Sequence, residues 1–64
     1  MAKWYVEYRA YNRGEYMGGI EAEDGKAAIQ YVKDHVIGVN RFHNVQRDDD
    51  SEQGGVYRGV FCRY

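Results

Sequence analysis

The sequence predicts a single small α+β domain, β-β-α-β-β, with one antiparallel sheet and one helix packed on one of its faces. Three observations predict it. The opening residues alternate apolar and polar with period two. A middle segment changes to helical spacing behind a capping aspartate. Two further segments rich in β-formers follow, with a polar, glycine-bearing stretch between them.

The first strand is expected over Lys3 to Tyr11. Trp4, Val6, Tyr8 and Ala10 should face the core, and Lys3, Tyr5, Glu7, Arg9 and Tyr11 the opposite side. Asn12-Arg13-Gly14 reads as a turn, since Asn and Gly tolerate positive φ. A second strand is expected over Glu15 to Glu23. Its inner set would be Ile20 and Ala22, with Tyr16 and Gly18 in phase; Met17, Gly19 and Glu21 would point the other way. Gly18-Gly19 inside a strand signals a bulge or a close backbone approach.

Asp24 is placed as a helix N-cap, its carboxylate accepting from free first-turn N–H groups. Ala28, Ile29, Val32 and Val36 then form one stripe, while Lys26, Gln30, Lys33 and Asp34 fall on the wet side. Gly38 fits the C′ position. Lys33 and His35 near the helix end suit its dipole. Val39 to Arg47 reads as a third strand with imperfect alternation, and Val56 to Tyr64 as a fourth. Residues 48–55, DDDSEQGG, form a polar loop whose acidic part is expected to be a solvated hairpin tip.

The 64 residues allow one domain, 1–64, and starting at Met1 they read as a whole gene product. So short a chain buries only about 60% of its unfolded surface, so its core is thin. The aromatic content of 16%, including seven tyrosines, compensates with large buried area per residue. The net charge of −1 lacks the positive excess of a general nucleic-acid binder. One cysteine cannot form an internal disulfide. With no signal peptide and no long apolar run, a cytoplasmic setting without membrane contact is expected.

Gly18, Ile20, Ala22, Asp24, Ala28 and Ile29 together follow a pattern: an alternating strand and turn, a G-x-I-x-A-x segment, then a capped helix. In this respect the stretch Trp4 to Val36 resembles the DpnD/PcfM-like small proteins of phages and plasmids. The resemblance covers about half the chain and only structural positions. It implies a sheet-plus-helix fold and a mobile-element origin, and carries over no binding or catalytic residue.

A single helix can cover one face of a four-stranded sheet. On the other face the first strand would place Tyr5, Arg9 and Tyr11, and the last would add Tyr57, Phe61 and Arg63, provided Val56, Val60 and Cys62 point inward. Aromatics mixed with Arg exceed what solubility needs and mark a contact surface. The bland alternative is rings lying flat and pairing across strands for stability. A protein partner, including a second copy in a homodimer, is the first expectation; an inhibitor of a host enzyme or defence complex is one concrete form. A single-stranded nucleic acid, with bases on the rings and Arg on phosphate, is the second.

Catalysis is not expected. Ser51, the only serine, lies in the acidic loop, and no P-loop, GxSxG or HExxH is present. His35, His43 and Cys62 match no zinc spacing, so no metal or other cofactor is expected. Asp48, Asp50 and Glu52 alternate as in a calcium loop but lack its central Gly and distal Glu.

Overall fold

The computed structural model describes residues 2–48 and 55–61. Its elements in chain order are β1 (Ala2–Ala10), β2 (Arg13–Ala22), α1 (Gly25–His35), β3 (Val39–Arg47) and β4 (Tyr57–Val60). The strands form one antiparallel sheet in the spatial order β3-β1-β2-β4. The first hairpin is therefore the centre of the sheet, and the last two strands lie on opposite edges.

β1 alternates as its residues predict. Val6, Tyr8 and Ala10 are buried beneath α1, and the half-buried Trp4 packs against them. The Trp4 indole N–H donates to the Ala22 carbonyl at 3.1 Å, so its one polar atom is satisfied. The hairpin closes on Tyr11 and Asn12, both at positive φ (51° and 63°), with Ala10 and Arg13 paired across it. Such a two-residue turn matches the twist of the strands it joins. The turn thus falls earlier than Asn12-Arg13-Gly14. Tyr11 leaves the strand face it was expected to occupy.

Gly18 and Gly19 together oppose Tyr5, because the register passes from Trp4↔Ile20 directly to Val6↔Met17. Gly19 sits at φ +70°. The bulge is where the two glycines predict it. It also corrects the faces of β2, because one extra residue resets a period-two alternation. Met17, not Tyr16, joins Ile20 and Ala22 in the core, and Tyr16 turns to the other side.

Asp24 caps α1 as expected, its Oδ1 accepting from the Ala27 N–H at 2.8 Å. Ala28, Val32 and Val36 are buried, whereas Ile29 of the expected stripe is only half-buried and outside the core cluster; Lys26, Gln30, Lys33 and Asp34 are exposed. Gly38 is not the C′ residue. The helix stops at His35, and extended Val36 serves as C-cap, donating its N–H to the Val32 carbonyl at 2.9 Å. This turn of the backbone keeps the Val36 side chain in the core. Gly38, at φ +85°, then bends the chain into β3.

The broken alternation of β3 has a structural cause. Its register against β1 shifts between Glu7 and Tyr8, and again between Arg9 and Ala10. The shifts let Val39, Phe42 and Val45 all reach the core.

β4 departs most from expectation. Among the described residues it spans Tyr57–Val60, and Val56 and Val60 do not point into the core: they are 44% and 57% exposed. α1 packs on β1, β2 and β3 and does not reach β4, so the valines on the helix side of this edge meet solvent. Cys62, the third residue expected inside, lies outside the described residues, as does Arg63.

Candidate functional site

The face opposite α1 is built by the β2–β4 ladder. There β2 presents Gly14, Tyr16 and Gly18, and β4 with its next residue presents Phe61, Gly59 and Tyr57. Each aromatic side chain sits across from a glycine. Tyr57 lies on Gly18 and Tyr16 on Gly59, close enough that a Cβ on either glycine would fall inside the ring. Phe61 lies on Gly14, where a Cβ would come within 3.1 Å of Cζ. Rings laid over cross-strand glycines protect the backbone and supply the contact that the glycines lack. They also hold β4, which no helix covers.

The aromatic layer continues past this ladder. Tyr5 of β1 stacks on Tyr16, with centroids 5.7 Å apart and planes at 27°. Tyr16 meets Tyr57 edge-on at 6.2 Å. Phe61 meets His43 of β3 edge-on at 6.0 Å, so rings from all four strand segments line one surface. All five side chains are half-buried rather than sealed off.

Asp48, expected in a solvated tip, is instead a structural group. Its Oδ2 accepts from the Gly19 N–H at 3.0 Å and from the Tyr57 hydroxyl at 2.7 Å, and its own N–H donates to the Lys3 carbonyl at 2.8 Å. One carboxylate therefore ties the end of β3 to the bulge in β2 and to β4. The rest of the acidic run, Asp49 to Glu52, lies outside the described residues. On the helix side, Glu15 accepts from the Tyr8 hydroxyl and from Arg58, each at 3.1 Å, which closes the polar edge of the core.

The hydrogen bond to Asp48, and after it burial, pushes the Tyr57 phenol from 10.0 up to about 12. Tyr5 and Tyr8 are also raised, each first by loss of solvent. In the unfolded chain all three ionise near pH 10. The folded state holds these protons longer, so stability is intact below about pH 10 and falls as the pH climbs towards about 12. Asp48→Asn should flatten part of this alkaline limb. The check is phenolate absorbance of the native protein against pH, beside denaturant melts. A native titration complete near pH 10 would contradict the proposed tie.

Of the six residues expected at the site, Tyr5, Arg9, Tyr57 and Phe61 share this face. Tyr11 is separate: it stands in the hairpin turn, its ring against Gly38 and its N–H donating to the Gly38 carbonyl at 3.4 Å. Arg63 lies outside the described residues. Three residues that strand-by-strand reading missed belong to the face: Tyr16, His43 and Arg41. The Tyr16 signal was present, because G-x-Y-x-G in residues 14–18 is the size complement of Y-x-G-x-F in residues 57–61.

Arg41 is the direct cross-strand partner of Arg9. Among the described residues no helix is long and apolar enough to cross a membrane, and no three His, Cys, Asp or Glu side chains group as a metal site would. The chain matches no family model, no curated protein and no solved structure.

Proposed function

We propose that this chain is a non-enzymatic protein-interaction module that docks its partner on the sheet face opposite α1. The observation that carries the reading is the layer of half-buried rings, Tyr5, Tyr16, Tyr57, Phe61 and His43, on the side that α1 does not cover. Aromatics and Arg dominate interface energetics, and flat rings offer a preformed surface with little entropy left to lose. The net charge of −1 favours a protein over a polyanion. A second copy stacked face to face in a cytoplasmic homodimer is the simplest partner, because it would double a thin core. The resemblance to DpnD/PcfM-like proteins makes an accessory or inhibitory protein of a phage or plasmid the concrete biological form.

One observation favours a second reading, a single-stranded nucleic-acid module: the facing pair Arg9 and Arg41 beside the rings. The two readings separate in one experiment. Light scattering gives the mass, and labelled single-stranded RNA and DNA are titrated at low and moderate salt. A dimer indifferent to oligonucleotide supports the first; a monomer with steeply salt-dependent binding supports the second. The variant to use is Tyr5→Ser. Tyr57 and Phe61 hold β4 in place, whereas Tyr5 covers no glycine and can be shortened without releasing that strand. Tyr5→Ser should abolish dimerisation or oligonucleotide binding. A variant that keeps its mass and its binding would show that the open face is not the docking surface.

A further inference from the structure

We propose that the corner formed by Arg9, Asn12, Asn40 and Arg41 binds the phosphate group of a nucleotide. Arg9 and Arg41 are register partners on adjacent strands, so their side chains leave the same face side by side. Both are exposed, and neither has a carboxylate partner among the described residues, where Arg58–Glu15 is the ion pair. Like charges directly opposed weaken a strand pair, and a bound anion removes that penalty.

The surroundings suit an oxyanion. Asn12, at positive φ in the hairpin turn, and Asn40, the extra residue at the β3 irregularity, complete the lining of a hollow of about 330 Å³. Two guanidinium forks and two side-chain amides are donors that match a tetrahedral oxyanion, which two-point Arg contacts recognise better than a point charge does.

A flat ring stands in the same row. Arg9 pairs with Gly14, and Phe61 lies over Gly14, one strand spacing (about 5 Å) from the Arg9 strand. A base against Phe61 with its phosphate between the two arginines fits this spacing. A phosphorylated side chain of a protein would use the arginines and leave the ring out. The site lies on the same open face, because Arg9 and Phe61 belong to it, and it rests on the second reading above, in which Arg9 and Arg41 hold phosphate.

The test is an amide-resolved NMR titration of the full chain with inorganic phosphate, thymidine 5′-monophosphate, oligothymidylate and a phosphoserine peptide. Phosphate and nucleotide should shift the amides of Arg9, Asn12, Asn40 and Arg41. The nucleotide should bind more tightly than phosphate and also move Gly14 and Phe61. Oligothymidylate tighter than the mononucleotide supports a strand as the source; equal affinities support a free nucleotide. Arg41→Gln, at an exposed position, should weaken nucleotide binding about tenfold or more, the loss of a charge-assisted contact. No shift with phosphate, undiminished binding by Arg41→Gln, or a phosphoserine peptide that binds as tightly as the nucleotide would overturn the proposal. Tyr5→Ser read by mass alone tests the face-to-face dimer, and Arg41→Gln read by nucleotide titration tests this site, so the two ideas fail on different readouts.

Discussion

Replacing Ile20 with alanine should remove a large part of the chain's stability. Ile20 is fully buried, faces Trp4 across the central hairpin, and belongs to the same cluster as Val6, Ala28 and Val32. Removing a buried side chain of this size costs roughly 2–5 kcal/mol, transfer and cavity terms together. A domain of this length has only about 3–10 kcal/mol of stability in total. Nothing nearby can collapse into the space cheaply, because the sheet below and the helix above are each tied by backbone bonds. Denaturant melts followed by Trp4 fluorescence would show the loss as a much lower midpoint. Val60→Ala is the matched control: Val60 is 57% exposed at the edge α1 does not reach, and should change stability by no more than about 0.5 kcal/mol. Equal effects from the two substitutions would contradict the placement of the core.

Gly19→Val should be as severe for a different reason. Gly19 holds φ at +70°, where a β-branched residue is strained by about 1–3 kcal/mol. The new Cβ would also strike the Gly55 carbonyl, which is backbone and cannot rotate away. Shifting the bulge to escape both would break the bond from the Gly19 N–H to Asp48 and reverse the faces of half of β2. The expected result is loss of cooperative unfolding. D-alanine at the same position, placed by chemical synthesis, removes both obstacles while keeping a side chain. It favours positive φ and points its methyl away from Gly55, so its stability should stay within about 1 kcal/mol of the parent. A D-alanine chain as damaged as the valine variant would show that neither the left-handed backbone nor the Gly55 carbonyl is the reason glycine is needed.

Local chemistry made much of this legible from the residues alone. The period of β1, the Asp24 cap, the Ala28–Val32–Val36 stripe and the Gly18-Gly19 bulge each depend on neighbours in sequence, and each stands in the structure. What was not legible depends on partners far away. A bulge announces itself by its glycines, but the side to which it turns Met17 or Tyr16 is settled by pairing with β1. The valines of β4 are good strand formers wherever they sit. Whether they are buried depends on how many strands one eleven-residue helix can span, and on an order that puts β4 at the far edge. Asp48 looked like one charge in an acidic run, since nothing local shows that a distant N–H and hydroxyl await it. The open face was half readable: Tyr5, Arg9, Tyr57 and Phe61 follow from alternation, whereas Tyr16, His43 and Arg41 required the register.

The ring-and-glycine ladder between β2 and β4 has a consequence for how this chain can change over time. Bulk on that surface is shared out between opposite positions, one taking nearly all of it and the other none. A lone enlargement at 18 or 59 therefore evicts its neighbour, one at 14 crowds it, and a lone reduction at 16, 57 or 61 uncovers bare main chain. A trade of sizes between the two members of a pair keeps the sum, so the smallest tolerated step there is a coordinated double substitution.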